Sequence, residues 1–176
     1  MAKAAKKALS KKTKTVKKTG AAAKRMAPSS SPASKKGTLG FTARTAKEIT
    51  ATFRDSIGLT AKVAAAVAAA RVNILAATGY SASGMRKNAT FNLVVDDFVK
   101  AEKALDSIGA EDIHESSIIM VETPNKVGAL QRVAKIIADA DIDIYYFYAT
   151  TSSGKTATSV IKTANDKKAI KALQEA

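Results

Sequence analysis

Between Ile49 and Leu173 the chain switches repeatedly between two hydrophobic rhythms. Ile49 to Phe53 alternates apolar and polar, the period of a half-buried strand, and Ile118 to Val121 is a short apolar run of strand length. A polar turn follows each, and then helical spacing begins. Leu130, Val133, Ile137 and Ala140 fall at i, i+3, i+7 and i+10 and make one apolar stripe. Leu59, Val63 and Val67 supply the larger contacts of an alanine-rich counterpart, whose small side chains allow close approach to a sheet. Two hairpins come next. Val72 to Tyr80 turns at 81–86 into Ala89 to Val95, and Ile142 to Thr150 turns at 152–155 into Thr156 to Ile161. Each is followed by a second helix, with Phe98, Ala101, Leu105 and Ile108 on one face in the first case and Ala169, Ile170 and Leu173 in the second. A further strand is expected near Asp112 to Ser117.

The two series are copies of one another at an offset of 70. Asp55-Ser-Ile-Gly58 answers Asn125-Lys-Val-Gly128, Val63 and Val67 answer Val133 and Ile137, Val72-Asn-Ile74 answers Ile142-Asp-Ile144, and Gly84 answers Gly154. Near the end the offset slips by two, and Ala104-Leu105 answers Ala172-Leu173. Four matches in register and a fifth after the slip, over some 50 residues, are not chance. The order is βαββαβ, a ferredoxin-like split βαβ unit. The expected fold is therefore α+β, with two tandem units whose helices cover one sheet face. Copy two stops after its second helix, at Ala176, and is expected to lack its fourth strand. That would leave Ile118 to Val121 with an open edge, to be covered by the other copy, the N-terminal segment or a second chain. Strand alternation puts Tyr146 and Tyr148 on one face and Tyr145 and Phe147 on the other, so both faces of that strand should be covered, by packing or a dimer contact more than by a ligand.

Charge separates a third region from these two. Met1 to Lys36 holds 12 Lys or Arg and no acid, leaving 17 of the 29 basic and all 15 acidic side chains on the other 140 residues. The chain thus reads as a basic tail and linker over 1–40, a first unit over 41–116 and a second over 117–176. The tail is Lys, Ala, Ser and Thr with too little apolar surface to offset ordering, so disorder is expected. Lys6, Lys7, Lys11, Lys12, Lys14, Lys17, Lys18, Lys24 and Arg25 would serve as an electrostatic arm for nucleic acid, neutralising phosphates without reading sequence. Its composition resembles the Lys-Ala tails of linker histones and bacterial histone-like proteins. A solubilising tail or an arm for anionic lipid is the plainer reading. With no aromatic residue, the tail offers no base stacking.

Composition also excludes chemistry. With no Cys there is no disulfide, thiol nucleophile or Cys metal site, and one His cannot build a multi-His metal centre. No cofactor is implied. No paired acid and base stands out, so a non-enzymatic role is expected. Gly154-Lys155-Thr156 lacks the earlier Gly of a phosphate-binding loop and sits in a hairpin. Asp96 and Asp97 open a helix, and Asp139, Asp141 and Asp143 read as a solvated face rather than metal ligands. No run is long and apolar enough to span a bilayer, and the basic N-terminus has no apolar signal core, so a cytoplasmic location is the default expectation.

Val121-Glu-Thr-Pro-Asn-Lys-Val-Gly-Ala-Leu130 resembles the first strand and turn of the ACT domain, a small ligand-binding regulatory module, and Ile142-Asp-Ile144 resembles the start of its second strand. The resemblance covers residues 46–176 as two tandem copies, weaker in the first, and is closest to small bacterial proteins built of two such domains. Val127 and Ile57 stand where the family usually has Pro before the turn Gly. The resemblance implies a small effector, most often an amino acid, bound at the turn between strand one and helix one, at an interface between domains. Carried over, the site is Asn125, Lys126, Val127, Gly128, Ala129 and Leu130, with Asp55, Ser56, Ile57, Gly58 and Leu59 as the weaker counterpart. Glycine lets the backbone approach closely, and helix-start N–H groups favour an anion. Asp55 and Asn125 also suit helix N-caps. The first expectation is a regulatory protein that binds an amino acid, self-associates and uses its tail on a polyanionic partner. The rivals are a nucleic-acid-binding or nucleoid-associated protein with the body as a dimerisation scaffold, and a detached regulatory subunit of an amino-acid biosynthetic enzyme.

Overall fold

The computed structural model describes residues 40–81, 88–151 and 154–176. The basic arm and Gly84 lie outside the described residues. The elements run β1 (Thr42–Arg54), α1 (Leu59–Ala69), β2 (Ile74–Ser81), β3 (Asn88–Val95), α2 (Phe98–Ser107), β4 (Asp112–Pro124), α3 (Ala129–Asp139), β5 (Ile144–Thr151), β6 (Thr156–Thr163) and α4 (Asp166–Glu175). This is the α+β architecture expected from the repeat, and all six strands join one antiparallel sheet in the order β2-β3-β1-β4-β6-β5.

The expected open edge of copy two is closed by the other copy, through the first residues of its first strand. β1 and β4 are each 13 residues long and pair from Thr42↔Glu122 to Thr52↔Asp112. The second half of β1 pairs with β3 and serves copy one, while its first half lies beside Ile118 to Glu122, the place in copy two that the first half of β4 fills in copy one. β4 is shared in the mirror sense. Its first half is the last strand of copy one, and its second half pairs with β6. The expected strands at Asp112 to Ser117 and Ile118 to Val121 are therefore one continuous strand.

The side-chain period of two then sorts the core. Odd-numbered Ile49, Ala51 and Phe53 pack with Leu59, Val63, Val67, Ala101 and Leu105 under α1 and α2. Odd-numbered Phe41, Ala43, Ile119 and Val121 pack with Val133, Ile137, Ala169 and Leu173 under α3 and α4. All four helices thus lie on one face. Leu130, assigned to the buried stripe by spacing, is exposed, and Ala129 is the half-buried residue of that first turn. Asp97 and Asn165 cap α2 and α4, accepting from Lys100 N (3.1 Å) and Lys168 N (3.0 Å).

The opposite face closes on itself. Val94, Ile118, Met120 and Val160 form a third buried cluster there, joined by Ala46, Ala76 and Tyr148. Three strand spacings, about 14 Å in a flat sheet, separate β1 from β5. Yet Tyr146 and Tyr148 of β5 both donate hydroxyl hydrogen bonds to Glu48 of β1, the latter at 2.7 Å. The contact requires the sheet to curl, with this face concave.

Phe41 precedes β1 in sequence but is buried in the copy-two core. Phe41→Ala should cost about 3–5 kcal/mol by leaving a cavity there. A urea midpoint unchanged from that of the parent chain would contradict the shared-strand packing.

Candidate functional site

The turn between β1 and α1 is built from a glycine in a conformation other residues avoid. Gly58 has φ +86° and Gly128 φ +83°, the left-handed region. A Cβ at either would meet nothing within 4 Å, so glycine is there for backbone angle and not for space. These glycines are the N-caps of α1 and α3, and neither helix receives a side-chain cap. The first N–H of each helix is taken by a turn carbonyl, Leu59 N donating to Ser56 O at 3.2 Å and Ala129 N to Lys126 O at 3.1 Å, so the anion preference of the helix start falls to the next N–H groups, of Thr60 and Ala61 and of Leu130 and Gln131.

Asp55 and Asn125 do not cap the helices, contrary to expectation. Each ties the turn sideways to the end of a neighbouring strand. The Asp55 carboxyl accepts from Ser81 Oγ at 2.5 Å. Asn125 Nδ2 donates to Gly154 O at 3.2 Å and Thr151 Oγ1 at 3.4 Å, and its backbone N–H donates to Lys155 O at 3.0 Å. The three-residue gap to the helix lets the left-handed glycine intervene, so the side chain points to the hairpin rather than along the helix.

In copy one the turn borders a cavity of about 480 Å³ between α1 and the edge strand β2. Asp55, Ser56, Gly58 and Leu59 line it, together with Thr60, Val63 and the β2 residues Ala77, Gly79 and Ser81. Ile57 points away and is fully exposed, as is Val127 in copy two. Lys126, Gly128 and Leu130 are exposed and Ala129 is half-buried.

The copies differ because of two β2 positions. Ala77 and Gly79 correspond to Phe147 and Ala149 of β5, so copy one has small groups where copy two has an aromatic ring. A Cβ on Gly79 would come within 3.0 Å of the Phe91 ring, which packs edge-on against Phe53 with centroids 6.0 Å apart. The sequence reading passed over Ala77 and Gly79. Comparing side-chain size at the offset of 70 would have found them.

Glu48 was also passed over, hidden as one polar residue in an alternating strand. It is 0% exposed and receives both tyrosine hydroxyls. Tyr145 and Phe147, expected to be covered, are exposed. Asp96 accepts from Asn73 N at 2.9 Å, and His114 lies 3.4 Å from Asp112. Among the described residues no three His, Asp or Glu gather as metal ligands, and no helix is long and apolar enough to cross a membrane.

No family model matches the chain, and no curated protein matches it. Solved structures do. Protein BT0572 from Bacteroides thetaiotaomicron is similar at 24% identity and a TM-score of 0.66, over 74% of this chain and 88% of that one. The ligand-free regulatory subunit of aspartate kinase from Thermus thermophilus is similar at 14% identity and a TM-score of 0.56, over 76% and 93%. Aspartokinase alpha and beta subunits give 18% identity and a TM-score of 0.54, over 79% and 95%. These likenesses establish the fold: two tandem ferredoxin-like α+β units.

Burial, followed by the hydrogen bonds to Glu48, raises the pKa of both Tyr146 and Tyr148 above the ordinary tyrosine value near 10. Stability carried by the protonated hydroxyls is complete below pH 10 and is lost as pH rises through the raised values. Tyrosinate absorbance should therefore show a late-ionising fraction that the double variant Tyr146→Phe/Tyr148→Phe removes. A late fraction that persists in that variant would contradict the assignment.

Proposed function

We propose that the chain is a non-enzymatic regulatory protein that binds an amino acid in the copy-one cavity at the β1–α1 turn. The observation that carries this is the cavity itself. It falls in the 300–1,000 Å³ range of small-ligand sites, with a carboxyl at one side and an uncapped helix start at the other. The amino acid's ammonium pairs with Asp55, its carboxylate takes the open N–H groups at the start of α1, and its side chain rests on Val63 and Ala77. Asn125, Lys126, Val127, Gly128, Ala129 and Leu130 form the pseudo-equivalent turn, a second and shallower seat with an amide in place of the carboxyl.

Fully exposed Ile57 and Val127, beside the two turns, are the surfaces through which occupancy is reported, by self-association or by docking on a partner. The fold is shared with regulatory subunits of aspartate kinase, which favours an enzyme of amino-acid metabolism as that partner. The basic segment from Lys6 to Arg25 then tethers the protein to a polyanion, and nucleic acid is the first to test. No step of this scheme requires catalysis.

A thermal-shift screen of the twenty amino acids against the full chain tests the sensor reading. A ligand at 100 times its dissociation constant should add about 2.7 kcal/mol of stability. Ala77→Phe installs the copy-two residue at a tolerant edge position and should abolish the response while leaving the unliganded midpoint near its parent value. A silent panel, or a response indifferent to Ala77→Phe and Asp55→Ala, would overturn the site.

The tail is tested separately. If it neutralises about eight phosphates, log K for duplex DNA should fall with log salt at a slope near −7, and deletion of residues 1–36 should abolish binding. A flat salt response would remove nucleic acid as the partner.

A further inference from the structure

We propose that the concave sheet face of copy one holds a second binding site, for a small organic amine without a carboxylate. Strand register writes this face in rungs. Thr78 of β2, Asn92 of β3, Thr50 of β1 and His114 of β4 stand side by side across four strands. Tyr80, Thr90, Thr52 and Asp112 make the next rung. Together with Tyr146 and Tyr148 from the far edge, the first rung and Tyr80, Thr90 and Thr52 of the second line a cavity of about 560 Å³.

The equivalent rung of copy two is Tyr148, Val160, Met120 and Arg44. There the face is apolar at its centre and packed into the third buried cluster. The fold is thus built in copy two with Val and Met where copy one has Asn and Thr, so the polar rung is not a requirement of the architecture. Glu48 follows the same rule, since its counterpart is the buried Ile118.

Asn92 points to a ligand. It is 5% exposed, it lines the cavity, and its carbonyl oxygen Oδ1 is buried with no hydrogen-bond partner among the described residues. An unmet buried acceptor is destabilising until a donor arrives. The tyrosines bias the site the same way. Both hydroxyl hydrogens are committed to Glu48, so the phenol oxygens turn only lone pairs outward. Glu48 makes no ion pair among the described residues. Among the described residues the lining holds no Lys or Arg. The Asn92 acceptor, the outward lone pairs of Tyr146 and Tyr148, their rings and a buried carboxyl behind them suit an ammonium group, which brings three donors and a positive charge. A zwitterionic amino acid would leave its carboxylate unmatched here, which separates this site from the helix-side cavity.

The test is thermal shift and calorimetry on the full chain with putrescine and ethanolamine, against glycerol, glucose and the amino acids as comparison probes. The amines should raise the midpoint. Asn92→Val, the residue copy two carries at this rung, should weaken amine binding at least tenfold, about 1.4 kcal/mol. Ala77→Phe should leave the amine response intact, so the two sites can fail independently. If Asn92→Val does not fold, Thr78→Tyr, again the copy-two residue, fills the cavity and should give the same loss. No amine response, a response that survives these variants, or binding of the polyols in place of the amines would each overturn the proposal, the first leaving a cavity that holds water only.

Discussion

The pairing of β1 with β4 is the constraint on which the rest of the molecule depends. Neither copy is complete alone. The second half of β4 has β6 on one side only, and a sheet edge left bare on its other side would expose unpaired N–H and C=O groups. The first half of β1 covers that edge, so residues separated by about 80 positions are locked in one ladder. Both 13-residue strands run from one copy into the other without a linker, which makes the two copies one sheet. The same continuity aligns the faces. Because side chains alternate strictly along β1, placing Ala43 under α3 and α4 also places Ile49 and Phe53 under α1 and α2.

Continuity also forces the curl that brings the two edge strands toward each other. The bonds from Tyr146 and Tyr148 to Glu48 are the mark of that closure. A buried carboxyl is costly unless hydrogen-bonded, and two phenol hydroxyls meet that cost here without an opposite charge. What remains of the concave face is apolar toward copy two and polar toward copy one.

The copies have the same backbone and different interiors. On the helix side, Ala77 and Gly79 open a space that Phe147 and Ala149 do not. On the concave side, Thr50 and Asn92 line a hollow where Met120 and Val160 pack. Duplication supplies the control: one copy shows what the fold needs, and the other shows what has been added to it. Both hollows open on copy-one strands, the concave one closed by Tyr146 and Tyr148 of copy two, and it is copy one whose turn sequence is the weaker match to the ACT pattern. The turn motif reports the backbone shape that both copies share, and cavity volume is set by strand residues outside the motif.

The sequence by itself determined the elements, the repeat and the layer arrangement, because these follow from local period: two for strands, 3.6 for helices, and a glycine where φ must be positive. It placed Gly58 and Gly128 at the turns and Leu105 and Leu173 in the core. Tertiary structure alone decided which strand covers copy two, since pairing between Thr42 and Glu122 leaves no local trace. It alone turned Asp55 and Asn125 from caps into ties, because their partners Ser81, Thr151 and Gly154 lie some 26 to 29 residues away. It also singled out Glu48 and Asn92, two polar residues among many in alternating strands, by removing water from around them. Burial is a property of the folded sheet, and a pattern of neighbours in sequence does not encode it.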